Sequence, residues 1–217
     1  MIDILSEENS SLITWERALI RSGFRFEKQC NGFDLYNETD KNISFLLKIV
    51  HMVRENQTHG FDGRIFTPSS SMVDESRWLD AIEQTHSGYE SGAFNSENLQ
   101  IGQLDTYIAG IVRWLNAIGI ETIMSCDGDG RPGRRPRVEM RNPDHGALLD
   151  YVTRVTTNDK WHYRGDKFHM RGPFNNNQLR EEIYERHWLL DVGENLYRCQ
   201  GPLRELMQLL NTAPIKS

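Results

Sequence analysis

The sequence predicts an α+β protein, and three observations lead to that expectation. Residues 101–217 alternate helical and strand periodicity in the order α-β-β-α-β-β-α-(β)-α, an α/β-like half with a small mixed sheet and flanking helices. Residues 1–95 are helix-rich and carry one β-hairpin signal, Asn31-Gly32 between alternating residues. Residues 86–100, HSGYESGAFNSENLQ, form a Gly/Ser/Asn-rich stretch that separates two domains or loops out of one compact domain. The core is affordable: 38% of residues are hydrophobic, with 9 Phe, 7 Tyr and 5 Trp.

The elements follow in order. Ser10 or Ser11 is placed to cap a first helix to Arg21, with Leu12, Trp15 and Leu19 at helical spacing and Gly23 as its stop. The Asn31-Gly32 pair predicts a type I′ turn, because both central positions of that turn need φ > 0. Thr39 or Asp40 opens a second helix whose stripe is Ile43, Leu46, Leu47, Val50 and Val53. Residues 57–71 read as a loop, and Ser71 with Asp74 resembles a capping box before Trp78, Leu79 and Ile82.

In the second half, Leu104, Tyr107, Ile108, Ile111, Val112, Leu115 and Ile118 share one helix face that ends at Gly119. A strand, IETIMSC, follows. After a glycine loop, Arg135, Arg137, Glu139 and Arg141 alternate with Pro136, Val138 and Met140, so a second strand has a basic face and an apolar one. Pro143 suits the first turn of a helix bearing Leu148, Tyr151, Val152 and Val155. If Gly165-Asp166 makes a type II′ turn, Arg164 faces Lys167 and His162 faces His169, with Trp161, Tyr163, Phe168 and Met170 on the other side. Asn176 or Asn177 starts a further helix to Leu190, NLYRC reads as a short strand, and Pro202 begins a last helix.

Charge and cysteine content narrow the function classes. Net charge is −6, yet residues 1–100 hold 16 acids against 9 bases, net −7, while residues 131–171 hold 10 bases against 5 acids, net +5. The basic segment favours phosphate or nucleic acid as partner. Cys30, Cys126 and Cys199 are odd in number and far apart, which argues against disulfides and a cysteine-rich zinc site. No stretch is long and apolar enough for a membrane span, and the N-terminus lacks a signal-peptide pattern. A cytoplasmic protein with no membrane partner is therefore expected.

Chemistry concentrates in IETIMSCDGDGRPGRRPRVEMR, residues 120–141. Gly128, Gly130 and Gly133 spell GxGxxG, but Pro132, Pro136 and strand alternation leave no helix to receive a pyrophosphate. A P-loop would need Lys and a hydroxyl where Arg134 and Arg135 stand. Cys126 and Arg131 have four intervening residues where cysteine phosphatases have five, and Arg131 and Pro132 break the calcium-loop pattern that Asp127 and Asp129 begin.

What survives is Asp127 and Asp129 at a strand end beside the Cys126 thiol, then five arginines between 131 and 141. Such carboxylates hold Mg²⁺ against a phosphate, and Arg131, Arg134, Arg135 and Arg137 clamp its other oxygens; alternatively, the carboxylates only shape the turn. His162, Arg164, Lys167 and His169 add ligand contacts from the hairpin. His145, Cys126, Asp127 and Asp129 are the residues placed for any catalytic step.

A helix ending Leu115-Asn116 and a strand ending Ser125-Cys126-Asp127-Gly128 resemble the helix and SSCSGR strand end of the tRNA wybutosine-synthesis methyltransferase family. Met124 replaces the first Ser, and Asp129 and Gly130 intervene before Arg131. The resemblance implies an S-adenosylmethionine-dependent RNA modification enzyme with Ser125 to Arg131 at its site. The leading expectation is binding, with or without processing, of a nucleotide or nucleic acid at the basic glycine-rich loop. A non-enzymatic module for an acidic partner is the third.

Overall fold

The computed structural model describes residues 2–53, 60–68, 71–86, 99–128, 134–171 and 185–212, with side chains described within Ser10 to Gln208. Its described residues form seven α-helices and two four-stranded sheets, an α+β fold with antiparallel pairing throughout rather than a mixed sheet. The chain separates into two compact units, Met1–Ser91 with Gln100–Thr106, and Gly92–Leu99 with Tyr107–Ser217.

The first unit contains α1 (Ile2–Ser22), β1 (Glu27–Gln29), β2 (Gly32–Asp34), α2 (Asp40–Val53), β3 (Gly60–Asp62), β4 (Ile65–Thr67) and α3 (Glu75–Thr85). Its sheet order is β1-β2-β4-β3. Trp15, Leu19, Phe24, Phe33, Leu46, Ile49, Phe66 and Trp78 fill the core, and the Trp15 ring meets both Phe66 and Trp78 edge-on at 5.3 and 5.7 Å. Rings of this size bury about 150–250 Å² each.

Four expectations are corrected here. Helix α1 starts before Ser10, and Ser11 donates its hydroxyl to the Ser71 carbonyl (2.9 Å) instead of capping a helix. The N-cap of α3 is Asp74, which accepts from Arg77 N at 3.2 Å, not Ser71. Residues 60–67, read as loop, form the β3–β4 hairpin around Gly63-Arg64. In the β1–β2 hairpin Gln29 pairs with Gly32, so Cys30-Asn31 occupies the turn and Gly32 lies in the strand.

Close approach accounts for Gly32: a Cβ there would stand 2.3 Å from the Phe66 carbonyl oxygen on the paired strand β4. Gly32→Ala is therefore expected to lower the unfolding free energy of this unit by about 2 kcal/mol or more, since neither backbone can yield without breaking the ladder. Urea denaturation followed by tryptophan fluorescence reads the change.

The second unit contains α4 (Ala109–Ala117), β5 (Thr122–Cys126), β6 (Arg137–Met140), α5 (Gly146–Thr156), β7 (Trp161–Arg164), β8 (Lys167–Met170), α6 (His187–Arg198) and α7 (Gln200–Thr212). Helix α4 starts at Ala109, later than the apolar stripe suggested, because Ile101–Gln103 forms a separate 3₁₀ turn. NLYRC is not a strand: Asn195 to Arg198 continue α6, with Leu196 buried. The start of the helix expected from Asn176 or Asn177 lies outside the described residues.

The second sheet has order β5-β6-β8-β7. Its inner face, Pro136, Val138, Met140, Trp161, Tyr163 and Phe168, is buried, and α6 packs against both α4 and α5. Tyr163 donates its hydroxyl to the Val138 carbonyl, and burial pushes its phenol up to about 12. The hydroxyl is thus a fixed donor that ties β7 to β6, and the sheet turns its other face outward.

Candidate functional site

Cross-strand register assembles the outer face of the second sheet. Arg137 pairs with Lys167 and Lys167 with Arg164, so β6, β8 and β7 contribute three cations to one row. Strands lie about 4.8 Å apart, which makes the row about 10 Å long. Two residues along, Arg135, His169 and His162 form a second row: His162 pairs with His169, and Arg135 Nη1 lies 2.6 Å from His169 Nδ1. The Gly165-Asp166 hairpin fixes this register, with positive φ (+68°) at Gly165 but not at Asp166, as a type II′ turn requires.

The chemistry of the face is cationic. Arg134, Arg135, Arg164 and Lys167 are exposed, and Arg164 and Lys167 make no ion pair with a described residue. Arg137 is half-buried; its Nη2 donates to Met124 Sδ at 2.7 Å and its Nε lies 4.0 Å from Asp166 Oδ2. Glu139 is the acid of the β6 stretch. Arg141 is taken by Glu121 in a bidentate pair (2.6 and 2.9 Å), whose hydrogen bonds hold the Glu121 carboxyl below its usual range.

The two imidazoles stack at 5.4 Å between centroids and 22° between planes. His162 Nδ1 is buried with no hydrogen-bond partner. Partial burial holds the His169 imidazolium below the usual histidine range, and the positive charges of Arg135, His162 and Arg164 add to that effect against a backbone hydrogen bond at Arg164.

The glycine loop is attached to this face at β5 and β6. Ser125 is buried, and Cys126 is half-buried with Sγ accepting from Gly128 N at 3.3 Å. Gly128 has φ +88°, and a Cβ there would come 2.8 Å from the Arg134 carbonyl oxygen, so the two arms of the loop close on each other at Gly128. Asp129 and Arg131 lie outside the described residues.

Asp127 is 2% exposed, and its Oδ2 accepts from Arg186 Nη1 at 2.8 Å. The Arg186 guanidinium also sits over the Tyr107 ring, 4.2 Å from its centroid. Of the two carboxylates expected to hold Mg²⁺, only Asp127 lies among the described residues, and its Oδ2 is already paired with Arg186. Among the described residues no group of three or more His, Cys, Asp or Glu is arranged to hold a metal ion.

His145 stands in a 3₁₀ turn, Pro143–His145, with Nε2 at 3.4 Å from Asn142 Nδ2 and Nδ1 buried without a partner. It makes no hydrogen bond to Asp127 or Cys126. Ser125, Cys126, Asp127 and Arg137 lie in or next to paired strands β5 and β6. Arg135, His162, Arg164, Lys167 and His169 complete the face.

Sequence reasoning missed Arg186 and Tyr107. Arg186 is 59 residues from Asp127, and the readable signal was an arginine just before the apolar period of α6.

No protein-family model, curated protein or solved structure matches this chain. No helix of the described residues is long and apolar enough to cross a membrane.

Proposed function

We propose that the outer face of the second sheet binds a phosphate-bearing ligand, and that a nucleic-acid strand suits it better than a mononucleotide. The row Arg137-Lys167-Arg164 carries this reading: three cations on adjacent strands, two of them exposed and without an ion pair among the described residues. Cations arrayed across an open sheet offer successive phosphates separate partners, whereas a mononucleotide calls for convergence in a concave pocket. Asp127 enters as the anchor of the loop base, which its pair with Arg186 supports, and no chemical step is assigned to it.

Lys167 occupies the middle of the row, so Lys167→Glu reverses the charge where two neighbours can reinforce repulsion. The expected outcome is at least a tenfold weaker complex with a labelled single-stranded oligonucleotide by fluorescence anisotropy, with ATP competing poorly against the strand. Unchanged affinity in the variant, with its thermal unfolding preserved, would remove the reading.

A further inference from the structure

The Arg135–His169 contact has a chemical asymmetry that the rest of the face lacks. Arginine can only donate, so with Nη1 at 2.6 Å the His169 Nδ1 must be the acceptor, and the ring is neutral with its proton on Nε2. A ring protonated on both nitrogens could not accept from Arg135. Two donors would then face each other with no acceptor between them. A phosphate oxygen supplies that acceptor.

We infer that a phosphate group docking on this face replaces His169 Nδ1 as the acceptor of Arg135, while His169 takes up one proton from solvent on Nδ1 and becomes a second donor. The inference rests on the proposed phosphate-binding role of the face. It makes Arg135 and His169 a proton-linked phosphate site, with His162 stacked beside it at 5.4 Å. The groups facing His169 are Lys167 on its own strand, His162 and Arg164 on β7, and Arg135 and Arg137 on the β6 side; Lys160 and Arg171 stand one pair further along, and Glu139 lies at the other end, opposite Gly165. Cations dominate this set, which opposes protonation of the free ring and is offset once an anion sits among them.

The direction of the linkage follows. Free His169 titrates below its ordinary value, mainly through burial and then through the charges of Arg135 and His162. Phosphate raises its midpoint. Affinity is therefore lowest and constant above the bound-state midpoint, rises as pH falls, and levels off below the free-state midpoint. Within that window the slope approaches tenfold per pH unit for one proton.

Calorimetry of a single-stranded oligonucleotide in buffers of different ionisation enthalpy, at constant ionic strength, counts the protons directly. The expected result is net uptake approaching one proton in the wild type within the window and close to none in His169→Gln, which keeps a polar side chain that cannot titrate. Nitrogen chemical shifts of the free protein should show His169 Nδ1 unprotonated. Tight binding with no proton uptake, or uptake that persists in His169→Gln, overturns the inference and leaves the interface standing. Absence of binding at every pH removes the interface reading and this inference with it.

Discussion

Replacing Arg186 with methionine is expected to destabilise the second unit by about 3–5 kcal/mol. The Asp127 side chain is 3% exposed and that of Arg186 18%, so their 2.8 Å pair is cut off from solvent on the carboxylate side. Removing the guanidinium takes the 2.8 Å ion pair from a buried carboxylate and strips the Tyr107 ring of the charge over its face. Methionine retains the bulk of the aliphatic stem, which separates loss of charge from loss of packing. Asp127→Asn together with Arg186→Met should recover much of the loss, because the buried charge that Arg186 pairs with is gone. A double-mutant cycle by chemical denaturation measures the coupling, and additivity of the two single variants would show that the pair contributes nothing jointly.

Truncating Arg135, Arg164 and Lys167 together to alanine is expected to be the largest effect on binding. Each side chain that neutralises a phosphate on a single strand adds about 0.7 to the slope of log affinity against log salt. Loss of three contacts should flatten that slope by about 2, and the affinity deficit should be greatest at low salt and shrink as salt screens the wild type. Anisotropy titrations across a salt series resolve the slope. All three side chains lie on the outward side of the sheet, opposite the buried Val138, Trp161 and Phe168, so the fold should tolerate their removal. An unchanged slope in a folded triple variant would mean that the phosphates lie elsewhere.

The basic face was legible in the sequence because local rules determine it. Strict alternation from Arg135 to Met140 sorted the strand into a buried and an outward side, and Gly165-Asp166 set the His162–His169 register through turn geometry. Both features span a few residues and need no tertiary information. The role of Asp127 was not legible for the opposite reason: its partner is 59 residues away, at the entrance of a helix whose first described residue is His187. A carboxylate at a strand end beside glycines looks the same in sequence whether it awaits a metal ion or an arginine.

The first unit shows a similar division. The Asn31-Gly32 pair gave the right hairpin with the wrong turn residues, because Gly32 is set by the Phe66 carbonyl across the sheet rather than by the turn. Residues 60–67 hid a hairpin whose strands are three residues each, too short for alternation to stand out, although Asp62-Gly63 marked its corner. NLYRC reads as a short strand in isolation, yet Asn195 to Arg198 continue α6 with Leu196 buried.

The most direct test of the central claim is backbone amide and side-chain shift mapping of the isotopically labelled protein as a single-stranded oligonucleotide is added. The account predicts perturbations clustered at Arg135, Arg137, His162, Arg164, Lys167 and His169, with helices α6 and α7 silent. Perturbations confined to the first unit or to those helices, with the basic face unmoved, would contradict it.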